Sequence, residues 1–191
     1  QNSSGSFEVY TVKPDPSKSD CYFLLTSSAG LFTEISSSVI SDAYEDEHWN
    51  VSVRISKDVA FVEGQISTLS TDKYIVEFTG YNYDLDVLRN SFYVTSSITK
   101  VLYDSFNAAH KAAYAGANRD NFTGNLNEET DYRLLGTTLW IDRLKNEELK
   151  IHAQNSKYFG RQNSQAVSER QPDKNIRIED TALFRWQFDD Q

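Results

Sequence analysis

Three groups of residues have the types and spacing that could do chemistry. The first is Glu45, Asp46 and Glu47, directly before His48 and Trp49. Two carboxyls about 5 Å apart, one of them protonated, can hydrolyse a glycosidic bond with retention. Glu45 and Glu47 would share a face if this segment were extended, because alternate residues of a strand do. No apolar spacers alternate with them, so the run reads as a solvated acidic loop. The second group is Tyr81, Tyr83, Asp84 and Asp86, with Asn82 among them. Aromatic faces stack on the apolar side of a sugar ring, and Asp and Asn bind its hydroxyls. The plain alternative is that both tyrosines pack across a strand pair. The third group is the polar arm Asn118, Arg119, Asp120 and Asn121. With Asp42, Asp46, Asp84 and Asp86 it offers the oxygen ligands that calcium takes. No D-x-D-x-D-G loop accompanies them, and Asp and Asn also serve turns. Calcium is the one cofactor candidate, and otherwise no cofactor is expected.

Nothing else builds a reaction centre. His48, His110 and His152 are scattered, without metal-ligand spacing, and His152 falls in a helix pattern. There is no G-x-S-x-G, no P-loop and no C-x-x-C, so no catalytic residue is assigned. A net charge of −9 opposes sequence-independent binding to nucleic acid, which needs Lys and Arg to displace counterions. It equally opposes an anionic membrane surface, and no run reaches the ~18 apolar residues of a membrane helix. The single Cys21 has no internal disulfide partner and reads as a small buried apolar residue. The chain contains no Met, so it is expected to be a processed piece or a segment of a longer protein. Its 11 Tyr and 11 Phe suit pleated, half-buried surfaces.

The elements that must position these groups read mostly as strands. Phe7 to Val12 alternates, and two prolines, Pro14 and Pro16, end it. Cys21–Thr26, a turn over Ser27–Gly30, and Leu31–Ile35 follow as closely spaced strands. Ser36–His48 reads as a loop. Trp49 to Ile55 is the cleanest alternation, with Trp49, Val51, Val53 and Ile55 on one face. Lys73–Gly80 and Ser91–Ile98 read as a pair around a loop from Tyr81 to Asn90. Ser105–Lys111 predicts a turn of helix. Thr137–Ile141 predicts a strand, and Asn146–Gln154 a helix capped by Asn146 and opened by Glu147 and Glu148. Trp140 and Leu144 are expected in a core. Residues 160–180 are polar and without period, and Ala182–Phe188 alternates again.

The order of these features carries a resemblance. Trp49–Ile55 has the form W-x-x-v-x-v. The stretch AYAGANRDNFTGNLNEETDYRLLGTTLWIDRLKNEELKIHA (Ala113–Ala153) has an aromatic strand ending at Gly116, a Phe122-x-Gly124 step, a strand carrying Trp140, and a leucine turn before Glu147–Glu148. It resembles the last third of a laminin-G-like domain, in the concanavalin A-like lectin/glucanase group. The resemblance implies an all-β fold, an antiparallel jelly-roll sandwich (concanavalin A-like) with one or two short helices. It implies a laminin-G-like domain over residues 1–160, a polar linker over 161–180, and at 181–191 an extra strand or the start of a following repeat.

The particular form of Ala113–Gly160 is similar to such domains in large structural proteins of tailed phages and other viruses. That similarity implies a non-enzymatic packing module at a virion or extracellular surface. Its implied partners are other virion or assembly subunits and surface glycans, in a homo-oligomer or a tandem array. The ligand-contacting residues would be Tyr81, Tyr83, Asp84, Asp86, Asn118, Arg119 and Asp120. Two further readings stand beside it: a carbohydrate-binding lectin module, and a glycoside hydrolase using Glu45 and Glu47.

Overall fold

A computed structural model of the chain describes residues 7–27, 30–45, 47–57, 61–62, 65–66, 73–109, 117–119, 126–129, 134–140, 143–155 and 182–187. Among them strands dominate, every strand pairing is antiparallel, and there are two short helices. The chain divides into two compact units, Asn2–Ala109 and His110–Gln191.

In the first unit, β1 (Glu8–Val12) pairs with β2 (Tyr22–Thr26), from Glu8↔Thr26 to Val12↔Tyr22. Cys21 bridges to Ile40, which pins the following loop to the start of β2. The strand expected at Leu31–Ile35 is only β3, Ile35–Ser36. Leu31 and Phe32 are consecutive and both buried. A strand sends neighbours to opposite faces, so burying both requires a bend. Gly30, at φ +65°, supplies the reversal. The Leu31 amide then donates to Ser27 Oγ at 3.0 Å.

The second sheet is built on the alternation that starts at Trp49. β4 runs Trp49–Lys57, and β5 (Phe61–Val62) and β6 (Gln65–Ile66) form a short hairpin. β7 (Lys73–Asp84) lies between β4 and β8 (Val87–Thr99). The loop expected from Tyr81 to Asn90 is absent. Both strands continue to a two-residue turn at Leu85 and Asp86. Both turn residues have positive φ, 45° and 68°, as a type I′ hairpin turn requires.

The inner face of this sheet and the buried residues of β2 share one core. Val76 and Phe78 from β7 and Phe92 and Ile98 from β8 meet Phe23 and Leu25 of β2, with Leu31 and Phe32. Aromatic rings dominate it. Phe23 lies 4.8 Å from Trp49 and 5.1 Å from Phe92, and Phe78 meets Phe92 edge-on at 4.9 Å. Gly80 sits opposite Phe92 in the ladder. A Cβ there would fall 2.1 Å from Phe92 Cε1, so the missing side chain is what lets the ring lie against the strand. Helix α1 (Lys100–Ala108) follows β8 directly. Its expected start at Ser105 moves back because Thr99 caps it, Oγ1 accepting from the Leu102 amide. Leu102, Tyr103 and Phe106 close the core, with Tyr103 stacked on Tyr74 at 4.0 Å. Burial, and then Tyr74, push the Tyr103 phenol above its ordinary pKa.

In the second unit, β9 (Ala117–Arg119) pairs with β10 (Leu126–Glu129). β11 (Gly136–Trp140) is followed by α2 (Asn146–Gln154). β12 (Ala182–Gln187) pairs with β11, from Gly136↔Gln187 to Trp140↔Ala182. The expected cap moves by one residue: Lys145 stands at the N-cap, its amide donating to Glu148 Oε2 at 2.6 Å. Asn146 is the first helical residue. Leu144, Leu149 and Ala153 are buried, and Trp140 stacks on His152 at 5.6 Å.

Gly80→Ala is expected to destabilise the chain by about 2–3 kcal/mol, because the new methyl must displace a packed ring. Urea unfolding checks this, and Gly80→Ala combined with Phe92→Leu should recover part of the loss.

Candidate functional site

The end of β7 and its turn gather four of the seven expected ligand-contacting residues: Tyr81, Tyr83, Asp84 and Asp86. Asn118 and Arg119 lie on β9, in the other compact unit. Asp120 lies outside the described residues, as do Asp46 and Asn121.

The hairpin does not present the tyrosines as an open platform. Tyr81 is only 8% exposed, and its ring stands 6.5 Å from Tyr83 at 45°. Tyr83 is half-buried, opposite Leu88. Asp84 is held by Arg89, whose Nη2 and Nε both donate to Oδ2, at 2.7 and 3.2 Å. Asp84 and Asp86, two apart in sequence, are not neighbours on one strand face, because Asp86 is a turn residue in the left-handed region.

The acidic loop before β4 is also tied down. Glu45 accepts from Ser19 Oγ at 2.6 Å. Glu47 accepts from Asn82 Nδ2 at 2.6 Å, and the same nitrogen reaches the His48 carbonyl at 3.0 Å. Asp42, at φ 55°, donates its amide to Asp20 Oδ1 at 3.2 Å. Glu45 and Glu47 are thus anchored to different elements and do not line one strand face. Of the oxygen donors suggested for calcium, Asp42, Asp84 and Asp86 lie in the first unit and Asn118 in the second, and the other three lie outside the described residues. No group of three or more His, Cys, Asp or Glu able to hold a metal occurs among the described residues.

Beside the charged Asp84 and Arg89, the hairpin also exposes apolar side chains. Leu85 is 92% exposed, and Val87 and Leu88 beside it are also exposed. Leu is unsuited to the left-handed conformation, which costs a β-carbon-bearing residue roughly 1–2 kcal/mol. The tip therefore combines an unfavourable backbone with an unfavourable surface.

Sequence reasoning missed a buried polar cluster on the other face of the same sheet. Arg54 Nη2 lies 3.3 Å from Glu77 Oε1 and 3.4 Å from Thr79 Oγ1, and the Tyr93 hydroxyl donates to Glu77 at 2.9 Å. The charged side chains are only 5% and 4% exposed. Alternation put Arg54 on the face away from Trp49, where a charge is normally solvated. The signal that could have found it is the register: Arg54 stands directly opposite Glu77. At the end of the same ladder, Trp49 opposes Asn82. Trp49 Nε1 and Asn82 Oδ1 are both buried without a hydrogen-bond partner.

Comparison of the chain with protein-family models, with curated proteins and with solved structures finds no match.

Glu77→Ala is expected to cost about 3–5 kcal/mol, because it leaves the Arg54 guanidinium buried without its carboxylate. Replacing both residues by leucine should lose much less. Chemical unfolding of the two variants separates these outcomes.

Proposed function

We propose that the chain is a non-enzymatic jelly-roll module, concanavalin A-like in type, that packs against other subunits of a large assembly. The observation that carries this reading is Leu85, 92% exposed at φ 45° on the β7–β8 turn. Asn-Gly is the ordinary choice for such a turn. A sequence that keeps Leu-Asp there forgoes stability in the free chain, and local rules are broken most often where a function requires it. Leu85, Val87 and Leu88 supply a small apolar projection suited to a pocket on a protein partner. The resemblance of Ala113–Gly160 to laminin-G-like domains of viral structural proteins adds that the assembly is a virion, at its tail or outer surface.

The lectin reading is weaker on the same hairpin. Tyr81 is buried and Asp84 is engaged by Arg89, so stacking and hydroxyl binding there would need both to be released. The hydrolase reading needs two facing carboxyls, and Glu45 and Glu47 have separate anchors.

Leu85→Asn is expected to leave the fold intact and raise its stability by about 1 kcal/mol, since Asn tolerates the left-handed region. The same substitution should reduce incorporation of the chain into its native assembly. Thermal melting reads the first effect, and quantitation of the chain in purified particles the second. Unchanged incorporation, or a native source in which the chain occurs alone as a monomer, would sink the proposal.

A further inference from the structure

We infer that β8 pairs antiparallel with β8 of a second copy of this chain, across a twofold axis at Thr95. The inference rests on the packing reading above and assigns a second surface to it. β8 pairs with β7 along one edge, and among the described residues no strand lies on the other. Natural proteins blunt exposed edges with Lys, Pro or a bulge. This edge has none of them from Asn90 to Thr99, where the sequence is NSFYVTSSIT. The ladder is regular through that span, its irregularity falling beyond it at Asn82/Tyr83. Charged residues make up 25% of the chain, so a neutral run of this length on an edge is a departure.

The pattern of the strand selects a second copy as the occupant. Side-by-side antiparallel pairing of identical strands places the dyad perpendicular to the sheet, and facing residues then share a face. With the dyad at Thr95, Ser91 faces Thr99, Tyr93 faces Ser97, and Thr95 faces its own copy. All five are exposed and hydroxyl-bearing, and Thr and Ser are favourable cross-strand neighbours of one another. On the core side Phe92 faces Ile98 and Val94 faces Ser96, so the larger apolar side chain meets an apolar partner. Moving the dyad to Val94 sets Phe92 against Ser96, and moving it to Ser96 sets Phe92 against Lys100. At the Thr95 register Lys100 faces Asn90, so no like charges oppose. The flanking cations are already matched, Arg89 by Asp84 and Lys100 by Asp104. The paired edges make one sheet running β4-β7-β8 and onward into the second copy. Each copy carries a net charge of −9, so added salt should strengthen the pairing by screening their repulsion.

Sedimentation and cross-linking of the full chain test this. Directly opposed residues in an antiparallel pair have Cα atoms about 4.5–5.5 Å apart, within disulfide reach. Thr95→Cys should therefore form a covalent dimer under mild oxidation. Ser91→Cys should not, its two copies lying about 27 Å apart along the strands. Cys21 is fully buried and serves as the silent background. Thr95→Lys, at an exposed position, should keep its melting curve yet weaken association by about tenfold or more.

Several outcomes would overturn the pairing. They are a wild-type chain that sediments as a monomer at every soluble concentration, a dimer indifferent to Thr95→Lys, or equal cross-linking at Ser91→Cys. A monomer whose outer β8 amides resist hydrogen exchange would mean that a segment of the same chain covers the edge, and would overturn it too. Leu85→Asn separates the two proposals. A monomeric wild type that still enters its assembly through Leu85 removes the β8 pairing alone, and a dimer that never enters an assembly removes the packing reading.

Discussion

The placement of the Phe92 ring over Gly80 is the constraint on which the first unit depends. The ring can lie there only because β7 carries no side chain at that point. From that position it touches Phe23 and Phe78, and Trp49 flanks it at 6.2 Å. β2 and the long sheet are thereby joined through one aromatic cluster, each buried Phe contributing about 2–3 kcal/mol of transfer free energy. Close packing makes such a cluster intolerant of added volume. The same cluster fixes register: a slip of one residue along β8 would send Phe92 to the opposite face and replace it with Ser91 or Tyr93.

Register in turn accounts for the polar cluster behind the sheet. Once Phe78 and Val53 face the aromatic core, Glu77 and Arg54 must face the other way and oppose each other. A buried ion pair adds little net stability over an apolar pair of the same shape. Its value here is directional, since this register brings Arg54 Nη2 to Glu77 and Thr79 and the Tyr93 hydroxyl to Glu77. The two faces of β7 therefore enforce one alignment by different means, shape on one side and charge on the other.

Several of the residues that invited a chemical reading also hold the frame. Glu47 and Asn82 brace the entry to β4, Glu45 and Asp42 fasten the acidic loop to Ser19 and Asp20, and Asp84 braces the hairpin through Arg89. Among the groups the described residues of the first unit leave outward are Leu85 at the β7–β8 turn and the neutral, hydroxyl-rich edge of β8. Both are features of surfaces that meet protein.

Much of the strand content was legible locally. Alternation marked β1, β2, β4, the halves of β7 and β8, β11 and β12, and acidic residues after Lys145 marked α2, because period and capping are properties of neighbours in sequence. Three things were not. The turn at Leu85 and Asp86 carries no Gly or Asn, so its tightness was invisible and the hairpin read as a loop. Leu31 and Phe32 looked like strand residues, and only a core that takes both side chains bends the chain there. Arg54 and Glu77 lie 23 residues apart, and their pairing follows from the β4–β7 register. The sequence by itself determined where the chain is extended and which face of each strand is apolar. Tertiary structure decided which polar residues are buried, which candidate ligands are already bound to one another, and which edges and turns remain outward. Those depend on contacts between residues far apart along the chain, which local propensity does not encode.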